Sequence, residues 1–259
     1  MTRSGLCEHI YTSIQTRMQL HHGDCIQVLP TLSNIDLTIT SPPYYNVKDY
    51  VSYPTYQAYL DHLRMTFTQI HAITNAGRMC CVNISNIILP RSKRNDESQR
   101  IPLTAHFIVL MEQIGWKFLE DIVWVKPEGA AKNRNGGFYR HRHPVAYKPN
   151  IVNEYIYVFQ KGGRTLDSIV RANPEQVQGD YERTNVWSIP TARSKHHPAP
   201  FPDDLVKHLV RYYSFTGDTI LDPYAGTGTT LRVALSLGRK AIGIERHADY
   251  IALIRTQSP

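Results

Sequence analysis

From residue 18 to residue 255 the chain alternates short strand-like runs with longer stretches of helical spacing, and no other feature restricts its fold as much. Strands are expected at 35–40 (IDLTIT), 77–85, 117–126, 152–162 and 240–245 (KAIGIE), with a short strand or its approach at 18–24 and a strand running into a turn over 218–226. Helices are expected at 53–75, 104–115, 201–214, 229–238 and 247–255. In the first of these, Tyr56, Tyr59, Leu60, Leu63, Phe67 and Ile70 recur at helical intervals. Gly115 and Gly238 close two others, and Pro202 followed by Asp203 and Asp204 suits a first helical turn. The alternation implies an α/β fold with a mostly parallel sheet and helices on both faces. With 259 residues and 42% hydrophobic content there is material for one domain with a real core. No clean boundary divides the chain, so 1–259 reads as a single domain. Three stretches break the rhythm, at about 89–102, 126–150 and 167–195, and read as insertions.

The segment ILDPYAGTGTTLRVALSLGRKAIGIE carries a ligand-binding layout. A strand ends at Asp222, a tight turn holds Gly226 and Gly228, a helix follows, and the next strand ends in Glu245. Small residues let a ligand approach the backbone, and an acid at the tip of the second strand can bind ribose hydroxyls. A dinucleotide fingerprint wants a third glycine where Leu231 stands, and a phosphate loop wants a lysine that this turn lacks. Nothing here favours a pyrophosphate. Asp222 could hold an ammonium group, with uncharged glycines and threonines around a zwitterionic amino acid. S-adenosylmethionine combines an amino acid, a ribose and an adenine. On this segment alone, a glycine-rich turn without a ligand stays open.

A second stretch, TSPPY at 40–44, ends the strand 35–40. Two successive prolines neither donate to a sheet nor continue a helix. The corner therefore leaves a hydroxyl (Ser41) and a carbonyl (Pro42) free as acceptors beside an aromatic ring (Tyr44). Read alone, it could equally be an ordinary proline-rich turn.

Together these segments resemble the β-class DNA amino-methyltransferases. TSPPY resembles their catalytic motif, LDPYAGTGTT their cofactor motif, and IGIE followed by Tyr250 the next one. KHHPAPFPDDLVKHLV is similar to the segment preceding the cofactor motif, and HHGDCIQVLPTLSNIDLTITSPPY to the lead-in to the catalytic motif. The catalytic motif comes first, the circularly permuted order of that class. The resemblance covers roughly residues 18 to 255. It implies a Rossmann-like methyltransferase fold and S-adenosyl-L-methionine as cofactor. It implies catalytic roles for Ser41, Pro42, Pro43 and Tyr44. It further implies cofactor contacts by Asp24, Phe201, Asp222, Tyr224, Ala225, Gly226, Gly228, Thr229, Thr230 and Glu245. For several of these a plainer role stays open: Asp24 as a turn aspartate, Phe201 as a core aromatic, Glu245 as a solvated acid.

Serine at position 41, where many relatives carry aspartate, goes in that family mostly with cytosine N4 and points to it as the methylated atom; adenine N6 is the alternative. Methylation at cytosine C5 needs a cysteine nucleophile, usually after proline, and none of the four cysteines follows one. Methylation of RNA or of a protein glutamine, and a catalytically dead nucleic-acid binder, are the remaining rivals.

A net charge of +7 suits a polyanionic partner such as double-stranded DNA. The segment 126–150 sets Lys126, Lys132, Arg134, Arg140, Arg142 and Lys148 against one acid, Glu128. Lys132, Arg134, Arg140 and Arg142 are the expected DNA contacts, joined by Tyr45, which could instead merely pack. Asn185 and Trp187 receive no role. No cysteine or histidine spacing matches a metal site, so none is expected. The absence of an apolar leader or a long apolar run sets the expectation of a cytoplasmic, nucleoid-associated protein with reduced cysteines and no membrane partner. The resemblance allows a homodimer and a cognate restriction endonuclease that does not form a stable complex with it.

Overall fold

The structure, a computed structural model, describes residues 10–13, 17–45, 53–89, 93, 99–130, 140–192 and 200–257. The strands are β1 (Ile10–Ser13), β2 (Met18–His22), β3 (Ile35–Thr40), β4 (Thr74–Ile84), β5 (Ile87–Ile88), β6 (Arg100–Ile101), β7 (Trp116–Val125), β8 (Asn153–Lys161), β9 (Val186–Ser188), β10 (Thr219–Asp222) and β11 (Lys240–Glu245). The helices are α1 (Cys25–Val28), α2 (Tyr56–Ile73), α3 (Leu103–Ile114), α4 (Leu166–Ala172), α5 (Asp203–Tyr213), α6 (Thr229–Ser236) and α7 (Ala248–Gln257).

Among the described residues one large sheet runs in the order β1-β2-β11-β10-β3-β4-β8-β7-β9, with β5 and β6 forming a separate ribbon. The strands from β2 to β4 are mutually parallel. β8 returns antiparallel between β4 and β7. Strand neighbours β10 and β3 lie at the middle, with their onward connections leading to opposite sides of the sheet. That is a topological switch point, where open α/β sheets bind ligands outside the carboxyl ends of their strands.

Both faces are covered, so the central strands are apolar on both sides. One core joins Leu37, Ile39 and Ile220 to Leu205, Val206 and Leu209 of α5 and Val233 and Ala234 of α6. The other joins Cys80, Val82 and Leu221 to Tyr59, Leu63, Phe67 and Ile70 of α2 and to Phe107 of α3. Helix α2 begins where the Thr55 hydroxyl accepts from the Ala58 amide at 3.1 Å. It buries one stripe at helical spacing, where truncating Leu63 to alanine would cost about 2–5 kcal/mol. Helix α3 ends where Gly115 takes a left-handed conformation (φ 111°).

The sheet's other edge is fastened by ions. Arg78, at the start of β4, bonds Asp218 ahead of β10 and lies 3.3 Å from Asp36 in β3. The stretch 167–195, expected to be irregular, instead holds most of α4 and all of β9. β9 adds a parallel edge strand to β7, burying Trp187, while Asn185 donates to the Asp121 carbonyl at 2.8 Å. Three residues of strand are too few to show a period, which is why the sequence does not reveal it.

Candidate functional site

Strands β3 and β10 end side by side, and each hands the chain to one of the two motifs. The Thr40 hydroxyl, last in β3, donates to the Asp222 carboxylate, last in β10, at 2.8 Å. Ser41 to Tyr44 and the glycine turn thus face one cavity of about 660 Å³. It is lined by Ser41, Pro42, Pro43 and Tyr44 and by nine of the ten cofactor candidates: Asp24, Phe201, Asp222, Tyr224, Ala225, Gly226, Thr229, Thr230 and Glu245.

Gly228 is the one that does not line it. It caps α6 in a left-handed conformation (φ 79°), and a Cβ there would sit 2.8 Å from Ile254 of α7. Its smallness serves the packing of α7 behind the turn, not the approach of a ligand.

Three acids of the cavity, Asp222, Glu245 and Asp24, are held by neutral groups. Asp222 is 2% exposed and accepts from Thr40 and from the Tyr224 amide (3.1 Å). Burial pushes its carboxyl up to about 6; Thr230 and Thr40 beside it and the Tyr224 amide pull the other way, and Glu245 adds to the rise. Glu245 accepts one backbone amide on each oxygen, from Gly226 and from His247, both at 2.8 Å. A carboxylate has about four acceptor positions, so two remain for ligand hydroxyls. Asp24 caps the single-turn α1 by accepting from the Ile26 amide at 2.9 Å. Tyr224 shares its hydroxyl with His62 Nε2 and Thr66, each at 3.2 Å. Burial lowers the His62 pKa. A buried acid awaiting a cation, an acid with spare acceptor positions and a strip of small residues between them fit an aminoacyl nucleoside.

The far side of β3 contributes groups that the motifs do not contain. Asn83 of β4 donates to Glu154 of β8 at 2.6 Å, and Lys126, just past β7, pairs with the other oxygen of Glu154. The Lys126 ammonium lies 5.1 Å from the centre of the Trp124 ring. Asn83, Trp124, Lys126 and Glu154 all line the cavity. The phenol oxygen of Tyr44 is buried nearby, and burial first, then the Glu154 charge, holds its pKa well above the ordinary tyrosine value.

The sequence profile of the N6_N4_Mtase family, described as DNA methylase, matches residues 35–256. The chain belongs to this family. Among curated relatives, the Type II beta methyltransferase M.BslI of Bacillus sp. (strain NEB-606) is 26% identical over 257 residues; the match covers 93% of this chain but only 28% of M.BslI. The Type II methyltransferase M.ScaI of Streptomyces caespitosus is 27% identical, over 90% of this chain and 78% of its own. Among solved structures, TTHA0409 of Thermus thermophilus complexed with S-adenosyl-L-methionine superposes with a TM-score of 0.70 at 27% identity, covering 92% of this chain and 91% of its own. The PvuII cytosine-N4-specific DNA methyltransferase shares the fold, with a TM-score of 0.71 at 17% identity over 96% of this chain and 89% of its own.

In this methylase three of the five expected DNA contacts are among the described residues. Tyr45 does not line the cavity; its ring packs on Tyr56 (5.5 Å between centroids) and Tyr59 (5.8 Å). Arg140 and Arg142 are exposed, with the rings of His141 and His143 stacked between and beyond them at 5.9 Å. Lys132 and Arg134 lie outside the described residues. Sequence reasoning missed His62, Asn83 and Glu154. The only signal for Glu154 was a charge at the start of an apolar strand, and its meaning depends on β8 running antiparallel. That direction brings the start of β8 to the same edge as the ends of β3 and β10.

Proposed function

We propose that this DNA amino-methyltransferase moves a methyl group from S-adenosyl-L-methionine to the N4 amine of a cytosine flipped out of a DNA duplex. The observation that carries the reading is the Thr40–Asp222 hydrogen bond, which ties the acceptor corner to the glycine turn in one cavity. Asp222 would hold the ammonium group of the cofactor, Glu245 the ribose hydroxyls and Phe201 the aliphatic part, with Asp24 as a further contact. When bound, the cofactor supplies an electrophilic methyl on a sulfonium.

The chain's own residues prepare the nucleophile. An exocyclic amine attacks poorly because its lone pair is delocalised into the ring. Extruding the base costs a few kcal/mol, and stacking on Tyr44 returns about 1–3 kcal/mol. With its hydroxyl buried, Tyr44 has its ring left to meet the base. The Ser41 hydroxyl and the Pro42 carbonyl accept the two amine hydrogens, and out-of-plane acceptors favour a pyramidal nitrogen with its lone pair exposed. Pro42 and Pro43 hold these acceptors rigidly before the reaction begins. The remainder is alignment of nitrogen with methyl, after which the methylated nitrogen would release one proton to solvent. A serine acceptor is uncharged, which suits cytosine; methylation at adenine N6 is the competing outcome. Arg140, Arg142, Lys132 and Arg134 would contact the phosphates. A separate restriction endonuclease for the same sequence, and self-association as a homodimer, belong to the same proposal.

Transfer of labelled methyl from S-adenosylmethionine to unmethylated duplex DNA tests the reading. Ser41→Ala should lower turnover about 100-fold, as for loss of one preorganised polar group, with cofactor affinity within a few fold. Collapse of cofactor binding in that variant would make Ser41 structural.

A further inference from the structure

The cluster of Lys126, Glu154 and Asn83 has an arrangement that stability does not explain. Lys126 and Glu154 are about one-fifth exposed, 20% and 19%, and ion pairs removed from water bring little net stability. The Asn83 side chain is oriented by Glu154, because turning the amide round would set its oxygen against the carboxylate. Its Oδ1 is buried without a donor, a state that costs about 1–3 kcal/mol. Lys126 has three N–H donors and uses one on Glu154. This wall of the cavity thus offers the two unused donors of Lys126, beside the acceptors of Ser41 and Pro42.

We propose that Lys126, held by Glu154, reads the ring edge of the flipped base and is the residue that selects cytosine. The inference rests on the reading of the cavity as the site of a flipped amino base. Around its Watson–Crick edge cytosine presents an amine, then N3, then O2: donors, acceptor, acceptor. The matching wall is acceptors followed by two donors, the pattern given by Ser41 and Pro42 followed by Lys126. Adenine presents an amine, N1 and then a carbon-bound hydrogen, so one of the two donors would face no acceptor. Guanine places its amine and carbonyl in the reverse sense. Glu154 has a second part in this. A lone ammonium against N3 would withdraw electron density from the amine that must attack. Paired with Glu154, Lys126 donates hydrogen bonds from a cluster of zero net charge.

The test is a cycle between enzyme and substrate, run on a short duplex carrying the mapped methylation site with cytosine or 3-deazacytosine at the target. The wild-type enzyme should lose about 10–100-fold in kcat/KM when N3 is removed, the range for a hydrogen bond from a charged donor. Lys126→Met should lose a similar factor on cytosine and little more on 3-deazacytosine, so the two losses do not add. Cofactor binding of Lys126→Met should stay close to wild type, while its melting temperature falls because Glu154 is left without its partner. Equal wild-type rates on the two duplexes overturn the inference whether or not the variant folds. So does a Lys126→Met enzyme that shows the full wild-type loss on 3-deazacytosine. An enzyme that methylates adenine overturns the underlying reading as well, and the product nucleoside tells the two failures apart.

Discussion

The two edges of the central sheet both bury carboxylates, but in opposite company. Where the parallel strands begin, Asp36 and Asp218 share Arg78, which also lies over the Phe215 ring at 5.4 Å. Where they end, the groups acting on Asp222 are hydroxyls, an amide and a second acid, and Glu245 is held by two backbone amides. At the first edge charge is matched within the fold. At the second, Lys126 matches Glu154, while Asp222 and Glu245 have only neutral hydrogen-bond partners. The difference separates acids paired with a cation from acids with neutral partners on one sheet, which residue type alone does not do.

The contrast is sharpest under substitution. Arg78→Met should destabilise the protein by about 3–5 kcal/mol, because it strands two half-buried carboxylates. Cofactor affinity in the folded fraction should stay near wild type; chemical denaturation and calorimetric binding read the two quantities. Asp222→Asn should do the reverse. Cofactor binding should weaken about 100-fold, near 2.7 kcal/mol, while the cofactor-free protein should melt no lower at neutral pH.

The pH dependence gives the reason. Burial holds the Asp222 carboxyl at about 6 in the folded protein, above its ordinary value near 3.9. The folded chain therefore keeps a proton that the unfolded chain has released. Stability present below about pH 4 is lost as pH rises through about 6, by roughly 3 kcal/mol. Melting of the cofactor-free protein between pH 4 and 7.5 should show this loss in the wild type, and Asp222→Asn should remove it. A smaller effect is expected at the join of the motifs, where Thr40→Val should cost about 1–3 kcal/mol of stability and weaken cofactor binding as well. Smallest per residue, neutralising Arg140 and Arg142 together should flatten the salt dependence of DNA binding by a slope of about 2. An unchanged slope would remove that surface from the DNA interface.

Much of this was legible from the chain because the central strands are apolar on both faces. The runs 35–40 and 240–245 have the same bounds in the sequence reading and in the structure. The capping glycine at 115 fixed the end of α3. The corner 41–44 and the glycine turn were visible as local motifs, and the fold brings them together. What stayed hidden depended on tertiary placement. Gly226 and Gly228 look alike in sequence, yet one faces the cavity and the other backs onto Ile254. Tyr45 follows Tyr44 directly and turns into the aromatic packing of α2. Asn83 and Glu154 are 71 positions apart, and only the antiparallel return of β8 puts them in contact.

The most direct test is the chemical identity of the product. Duplex DNA methylated by the purified enzyme is digested to nucleosides and resolved by mass spectrometry. The expected product is N4-methyldeoxycytidine, absent from a Ser41→Ala control. N6-methyldeoxyadenosine in its place would contradict the assignment of Ser41 and Lys126 to cytosine.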